Sequence, residues 1–205
     1  EADGLAPTHD MRLYLGDTDR AWLDQFVTQH AIGPSGYACI APTARWGSKC
    51  WPMERYADIT RRLLRTELGT PQSSAHGPGH VVVLAAPAER PQVQPLLDML
   101  DGNEQGTNGA KSRVISPQTT VGQMMALVSR TRLLVCNDSA PLHIAVGFNR
   151  PMVAIFGPTD PAKVGPYNRD AAVVRAREAQ QSAGGESNSR RHRHDPALIS
   201  KVQVD

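Results

Sequence analysis

Short apolar runs that break off at a polar turn and pass into a helix pattern constrain the fold of this chain more than anything else in it. The clearest case is Val135–Pro166, V-C-N-D-S-A-P-L-H-I-A-V-G-F-N-R-P-M-V-A-I-F-G-P-T-D-P-A-K-V-G-P. Leu133-Leu134-Val135-Cys136 stops at Asn137-Asp138-Ser139, a short apolar helix pattern follows, and Met152–Phe156 stops at Gly157-Pro158-Thr159. In a parallel sheet both turns open on one edge, where α/β folds bind ligands.

The same alternation runs through the rest of the chain. Asp19–His30 places Trp22, Leu23, Phe26 and Val27 at helical spacing, and Gly33-Pro34-Ser35-Gly36 breaks it. Tyr37–Ala41 reads as a buried strand. A helix starts at Trp51-Pro52, with Tyr56, Ile59, Leu63 and Leu64 as its apolar face, and ends at Gly69-Thr70-Pro71. Thr70–His80 reads as a solvated loop, Val81–Ala86 as a strand, and Ala88–Leu100 as a helix. After the Gly/Asn-rich Asp101–Ser112 come a short strand at Val114-Ile115 and a helix at Val121–Ser129 capped by Thr119 or Thr120. Arg132–Cys136, the helix Pro141–Gly147 and the strand Pro151–Phe156 follow, with a last short strand at Ala171–Val174. Strands of about five residues alternating with helices specify an α/β fold, a Rossmann-like parallel sheet flanked by helices.

The organisation expected is a leader and linker helix over residues 1–31, a sheet domain over 32–174, a disordered loop over 175–195 and a C-terminal tail over 196–205. Residues 175–195 are low in complexity, and the His192-Arg193-His194 tract inside them reads as solvated. The tail is weakly apolar and is expected to dock back. A formal charge of +2 gives no support to nucleic-acid binding. No run of about 18 apolar residues offers a spanning helix. Cys39, Cys50 and Cys136 are odd in number and widely spaced, so they suggest neither a disulfide framework nor a metal site. A reducing cytoplasm is the default location.

Four polar clusters follow the strands. In Asn137–His143, Asp138 or Ser139 can cap the helix, Pro141 suits its first turn, and the helix end favours an anion such as phosphate. The small residues Ser139 and Ala140 let a ligand approach the backbone, and His143 is one turn further in. A plain cap with a core histidine accounts for the same residues. Gly157-Pro158-Thr159-Asp160-Pro161 is a rigid turn in which Thr159 offers a hydroxyl, and Lys163 reads as a surface lysine. In Pro42–Pro52, Arg45 and Lys49 bring two cations to the ligand edge, where a diphosphate would want them, while Trp46 and Trp51 either wall the site or pack. Glu89, at a helix start, suits ribose hydroxyls or simply the helix dipole.

A-R-W-x-S-K-x-W-P, N-D-S-x-x-x-H-x-A and F-G-P-T-D-P-x-x-x-G-P, in this order and spacing, resemble the motifs of the lipopolysaccharide heptosyltransferase family, glycosyltransferase family 9. The resemblance covers roughly residues 32–174, the family's C-terminal, nucleotide-sugar-binding half. It implies a GT-B fold and an inverting, metal-free transfer of heptose from an ADP-sugar to the lipopolysaccharide core. It also implies no cofactor and a cytoplasmic enzyme, peripheral at the inner face of the inner membrane. By the resemblance Lys49 holds the diphosphate, Asp138 contacts sugar hydroxyls, and Ser139 and Ala140 cradle phosphate with support from His143. Glu89 holds the ribose, and Thr159 lines the phosphate or sugar side.

The chain departs from the family pattern at Ala140 and Ala85-Ala86, where glycine is usual, and at Cys50, where arginine is common. The family's acidic catalytic base belongs to an N-terminal domain whose Gly-rich strand–turn has no match here. Gly16-Asp17-Thr18 precedes an amphipathic helix and reads as the linker rather than that base. The expectation is therefore a C-terminal donor half, partnered by a separate N-terminal GT-B domain. The alternative is a nucleotide-binding module without catalysis. A nucleotide-sugar epimerase would want an early G-x-G-x-x-G turn, which this sequence lacks.

Overall fold

A computed structural model describes residues 10–65, 79–101, 113–175 and 197–202. Its helices are α1 (Asp17–Gln29), α2 (Met53–Arg65), α3 (Arg90–Asp101), α4 (Val121–Arg130), α5 (Ala140–Gly147), α6 (Pro161–Val164) and α7 (Ala197–Ser200). Its strands are β1 (Tyr37–Ala41), β2 (His80–Val83), β3 (Val114–Ile115), β4 (Leu134–Asn137), β5 (Met152–Phe156) and β6 (Val173–Arg175). The strands form one six-stranded sheet in the order β3-β2-β1-β4-β5-β6. Every neighbouring pair is parallel.

The runs are continuously apolar because both faces of the sheet are covered. Alternate residues sort between two cores. Cys39, Val82, Leu134, Cys136, Ala154 and Phe156 face Leu23 and Phe26 of α1, Leu127 of α4 and Leu142 of α5. Ile40, Val81, Val83, Val135 and Ile155 face Tyr56 and Leu64 of α2 and Val93, Leu96 and Leu100 of α3. A one-residue slip in any strand would exchange these two sets. Ile199 and Val202, from the C-terminal segment, belong to the second core.

Local chemistry sets the element ends. Thr120 caps α4: its hydroxyl accepts from the Gln123 amide at 3.2 Å, and the Gln123 side chain accepts from the Thr120 amide at 2.9 Å. Gly147 ends α5 because the chain before α1 crosses it. A Cβ there would lie 2.5 Å from Leu13 Cγ and 2.9 Å from the Met11 carbonyl oxygen. The Leu13 amide donates to the Gly147 carbonyl at 3.0 Å.

Several boundaries differ from the sequence expectation. β2 includes His80 and ends at Val83, three residues before Ala86, because Pro87 opens a 3₁₀ turn, Pro87–Glu89. β4 starts at Leu134 rather than Arg132, after the Thr131 hydroxyl donates to the Leu133 carbonyl at 2.8 Å. β6 starts at Val173, since Asp170–Ala172 form a 3₁₀ turn. The expected helix stop at Gly69-Thr70-Pro71 and the loop at 102–112 lie outside the described residues, as does most of the loop at 175–195. No helix among the described residues is long and apolar enough to cross a membrane.

Burial has a titration consequence. It pushes the Cys39 thiol from its ordinary 9.0 up to about 12. It also raises Cys136, and the Tyr37 and Tyr56 phenols. These groups stay protonated in the folded chain at pH values where the unfolded chain ionises, so their stabilisation is complete below about pH 9 and is lost as pH climbs towards the folded values. Denaturant midpoints should hold from pH 7 to 8.5 and fall progressively above pH 9. In the native chain at pH 8 a disulfide reagent should label half-buried Cys50, with Cys39 and Cys136 reacting only on unfolding.

Candidate functional site

The strand order reverses direction between β1 and β4, so the loops leaving these two strands run apart and open a crevice at the sheet's C-terminal edge. Lys49 lies in the loop after β1, at the end of the 3₁₀ turn Gly47–Lys49. Asp138 follows β4 directly. Lys49 Nζ donates to Asp138 Oδ2 at 2.6 Å, so an ion pair spans the crevice. The Thr159 hydroxyl, in the turn after β5, donates to the same Oδ2 at 2.7 Å.

Asp138 is 8% exposed. A carboxylate this deep needs a counter-charge and hydrogen bonds, and Lys49 and Thr159 supply both. The Asp138 Oδ1 accepts no bond among the described residues. The ammonium has three donors, and the pair with Asp138 occupies one of them.

Beside this cluster begins α5. Ser139 occupies its N-cap position, but its hydroxyl donates to the Asn137 carbonyl at 3.3 Å and makes no cap hydrogen bond. Asp138 does not cap the helix either: its Oδ2 takes Lys49 and Thr159, and its Oδ1 accepts no amide of α5. Pro141 has no N–H and the Leu142 amide donates to the Ser139 carbonyl at 3.1 Å, so the first turn of α5 keeps its dipole and the Ala140 amide for an anion. Ala140 and His143 are both exposed. The core-histidine account of His143 is therefore wrong: the α5 positions packed inward are Leu142, Ile144 and Ala145.

Glu89 stands on the other side of the Lys49 loop, after β2. Its Oε2 accepts from the Thr43 hydroxyl at 2.7 Å and from the Ala86 amide at 3.1 Å. Thr43 is itself buried, in the loop after β1. Glu89 is thus fixed by its own loop and by the loop after β1, and its Oε1 accepts no bond among the described residues. Its negative charge helps to raise the Cys50 thiol, after burial, the larger cause.

The structure brings together Lys49, Asp138 and Thr159, with Ser139 and Ala140 at the adjacent helix end, but it does not bring in Arg45. That guanidinium is exposed and lies over the Trp46 ring, 5.6 Å from its centroid. Trp46 is 54% exposed, whereas Trp51 is 1% exposed and packs edge-on against Tyr56, with ring centroids 5.2 Å apart. Trp51 is therefore core, and Trp46 is the tryptophan that can meet a ligand. Lys163 is exposed, as expected. Asp17 is the first residue of α1 and lies near Arg20 at 3.8 Å.

Sequence reasoning missed Asn137 and Thr43. Asn137 is fully buried. Its Oδ1 accepts from the Trp51 amide at 3.2 Å and from the Tyr56 hydroxyl at 2.9 Å, and its Nδ2 donates to the Pro42 carbonyl at 2.6 Å. It therefore fastens both ends of the Pro42–Trp51 loop, and with it Lys49, to the end of β4. The signal available in sequence was its place: a carboxamide that closes a fully apolar strand run and is not merely the first residue of a turn.

The sheet order and its flanking helices define a doubly wound, Rossmann-like domain of the GT-B type. The model of glycosyltransferase family 9 (heptosyltransferase) matches residues 6–193, and the chain belongs to that family. It is 29% identical over 138 residues to lipopolysaccharide heptosyltransferase 2 of Escherichia coli (strain K12), covering 66% of this chain and 35% of the relative. It is 32% identical over 165 residues to lipooligosaccharide heptosyltransferase 2 of Haemophilus influenzae, covering 77% and 42%. The fold matches the E. coli ADP-heptose lps heptosyltransferase II with a TM-score of 0.62 at 20% identity, over 92% of this chain and 53% of that one. A family 9 glycosyl transferase from Veillonella parvula matches with a TM-score of 0.64 at 22% identity, over 93% and 50%. The chain thus spans about half of these solved structures, and less of the curated relatives.

Removing the Asn137 carboxamide would strand a buried amide, a buried hydroxyl and a carbonyl, at about 1–3 kcal/mol for each group left unsatisfied. Asn137→Ala is expected to lose about 3 kcal/mol or more in urea unfolding. Tyr56→Phe, which removes only one partner, should lose about 1 kcal/mol.

Proposed function

We infer that this chain is the donor-binding part of an inverting heptosyltransferase that moves heptose from ADP-heptose to the lipopolysaccharide core. The observation that carries the reading is the Lys49–Asp138 ion pair across the crevice, beside the free N-terminus of α5. A nucleoside diphosphate-sugar needs charge neutralised at the diphosphate and hydroxyls held at the sugar, and this pair offers one group for each. The similar solved E. coli structure is described as an ADP-heptose lps heptosyltransferase, which supports ADP-heptose as the donor.

In this reading Lys49 takes the diphosphate, and the α5 amides at Ser139 and Ala140 share its charge, with exposed His143 alongside. Asp138 accepts from sugar hydroxyls through Oδ1. Glu89 accepts from the ribose. Thr159 acts through Asp138, holding its Oδ2. As the acceptor hydroxyl attacks the anomeric carbon, the carbon–oxygen bond to ADP breaks and negative charge grows on the leaving diphosphate. Lys49 and the helix end stabilise that charge where it develops. The base that takes the acceptor proton is assigned to the N-terminal domain of the complete enzyme. Residues 32–174 then form the nucleotide-sugar unit and α1 the linker into it, working at the cytoplasmic face of the inner membrane.

Calorimetry with ADP tests the reading. The chain should bind ADP saturably, and Lys49→Ala should weaken binding about 10–100-fold, the worth of a hydrogen bond to a charged group. Unchanged affinity in Lys49→Ala overturns the role of Lys49. ADP-heptose should bind in preference to a UDP-sugar; equal binding of both overturns the donor assignment.

A further inference from the structure

The C-terminal segment reaches the candidate site from behind. Ile199 and Val202 are 1% and 2% exposed. They share the second core with Trp51 and Ile155. Trp51 Nε1 donates to the Val202 carbonyl at 3.1 Å, and the backbone amide of the same Trp51 is the one that Asn137 holds. α7 packs against the Gly47–Lys49 turn. A Cβ added at Gly157 would lie 2.9 Å from Ile199 Cβ and 3.1 Å from the Ser48 carbonyl oxygen. Ile199, the Lys49 turn and the turn that carries Thr159 therefore converge on one point, and a glycine there permits it.

We propose that Ala197–Val202 is a positioning element of the nucleotide site, holding the Lys49 turn against the Gly157–Thr159 turn, so that nucleotide binding and docking of the segment strengthen each other. This rests on the nucleotide reading above. The Gly157–Thr159 turn reaches the end of α5 through the Thr159–Asp138 bond, and a diphosphate bridging Lys49 and that helix end needs the two turns at a fixed spacing. Freedom removed by docking is freedom that binding need not remove. Linkage then requires the reverse effect: a nucleotide that favours the docked turns favours the docked segment by the same factor. Ile199 and Val202 touch no ligand in this scheme, and they act through Ser48, Gly157 and Trp51.

The test uses the full chain with ADP as probe. Hydrogen exchange at residues 199–202, where the Val202 amide donates to the Ile199 carbonyl at 3.2 Å, should slow when ADP saturates the site. Ile199→Ala should weaken ADP binding about tenfold, inside the roughly 5–150-fold range of such couplings, and Ile199→Val should restore it. Val128→Ala, a core deletion on α4 on the opposite face of the sheet, should lower stability and leave ADP affinity unchanged. Should Ile199→Ala fail to fold, Trp51→Phe removes the bond to Val202 and should weaken ADP binding in the same direction. Saturable ADP binding with unchanged exchange at 199–202, or wild-type affinity in Ile199→Ala or Trp51→Phe, overturns the positioning role and leaves the nucleotide reading standing. A wild-type chain that binds no ADP overturns both.

Discussion

The carboxamide of Asn137 is the constraint on which the site depends. A parallel sheet presents bare strand ends along its C-terminal edge, and the loops that leave them have few backbone partners of their own. Asn137 answers this with one side chain. It accepts from α2 through Tyr56, accepts from the end of the Lys49 loop through Trp51, and donates to the start of that loop at Pro42. Asparagine suits the place because it carries donor and acceptor together without a charge. An aspartate would set a carboxylate against the Pro42 carbonyl, and an apolar residue would leave three buried groups without partners.

With the loop fastened at both ends, the crevice between β1 and β4 acquires a defined electrostatic shape. Lys49 comes from one side and Asp138 from the other, and they meet at 2.6 Å. Thr159 adds a third loop to the same carboxylate oxygen, and Thr43 with Glu89 repeats the device one strand further out. In each case a threonine hydroxyl holds a carboxylate and leaves the carboxylate's other oxygen without a bond among the described residues.

Much of the fold was legible in the sequence because a doubly covered parallel sheet writes itself as short apolar runs at loop spacing. Tyr37–Ala41 and Val114-Ile115 coincide with their expected bounds, and Thr120 caps α4 as a threonine before Val121 should. Boundaries failed where local chemistry competes with the ladder, at Pro87 and at Thr131. In the site, the motif order pointed to Lys49, Asp138 and Thr159, and the structure joins them. What could not be read was who holds whom. Arg45 shares a loop with Lys49 and looks equivalent in sequence, yet it stacks on Trp46 away from the cluster. Asn137 looked like a turn residue because its partners, Tyr56 and Pro42, lie more than eighty positions away.

The choice of lysine at position 49 follows from the same geometry. The ammonium already spends one bond on Asp138, and in the proposed reading it must also meet a diphosphate. A compact head with three donors can do both, because rotation about the last bond aims the remaining two hydrogens at phosphate while the first stays on Oδ2. An arginine here would match the carboxylate in a two-toothed fork, and its three remaining N–H donors would be fixed in the guanidinium plane, without the rotation that lets an ammonium aim at a second ligand. The Lys49–Asp138 pair therefore holds a cation beside a helix N-terminus without leaving either charge unpaired. In the proposed reading a diphosphate would add to the pair instead of breaking it, and the second oxygen of Asp138 would stay open to a hydroxyl of the same ligand.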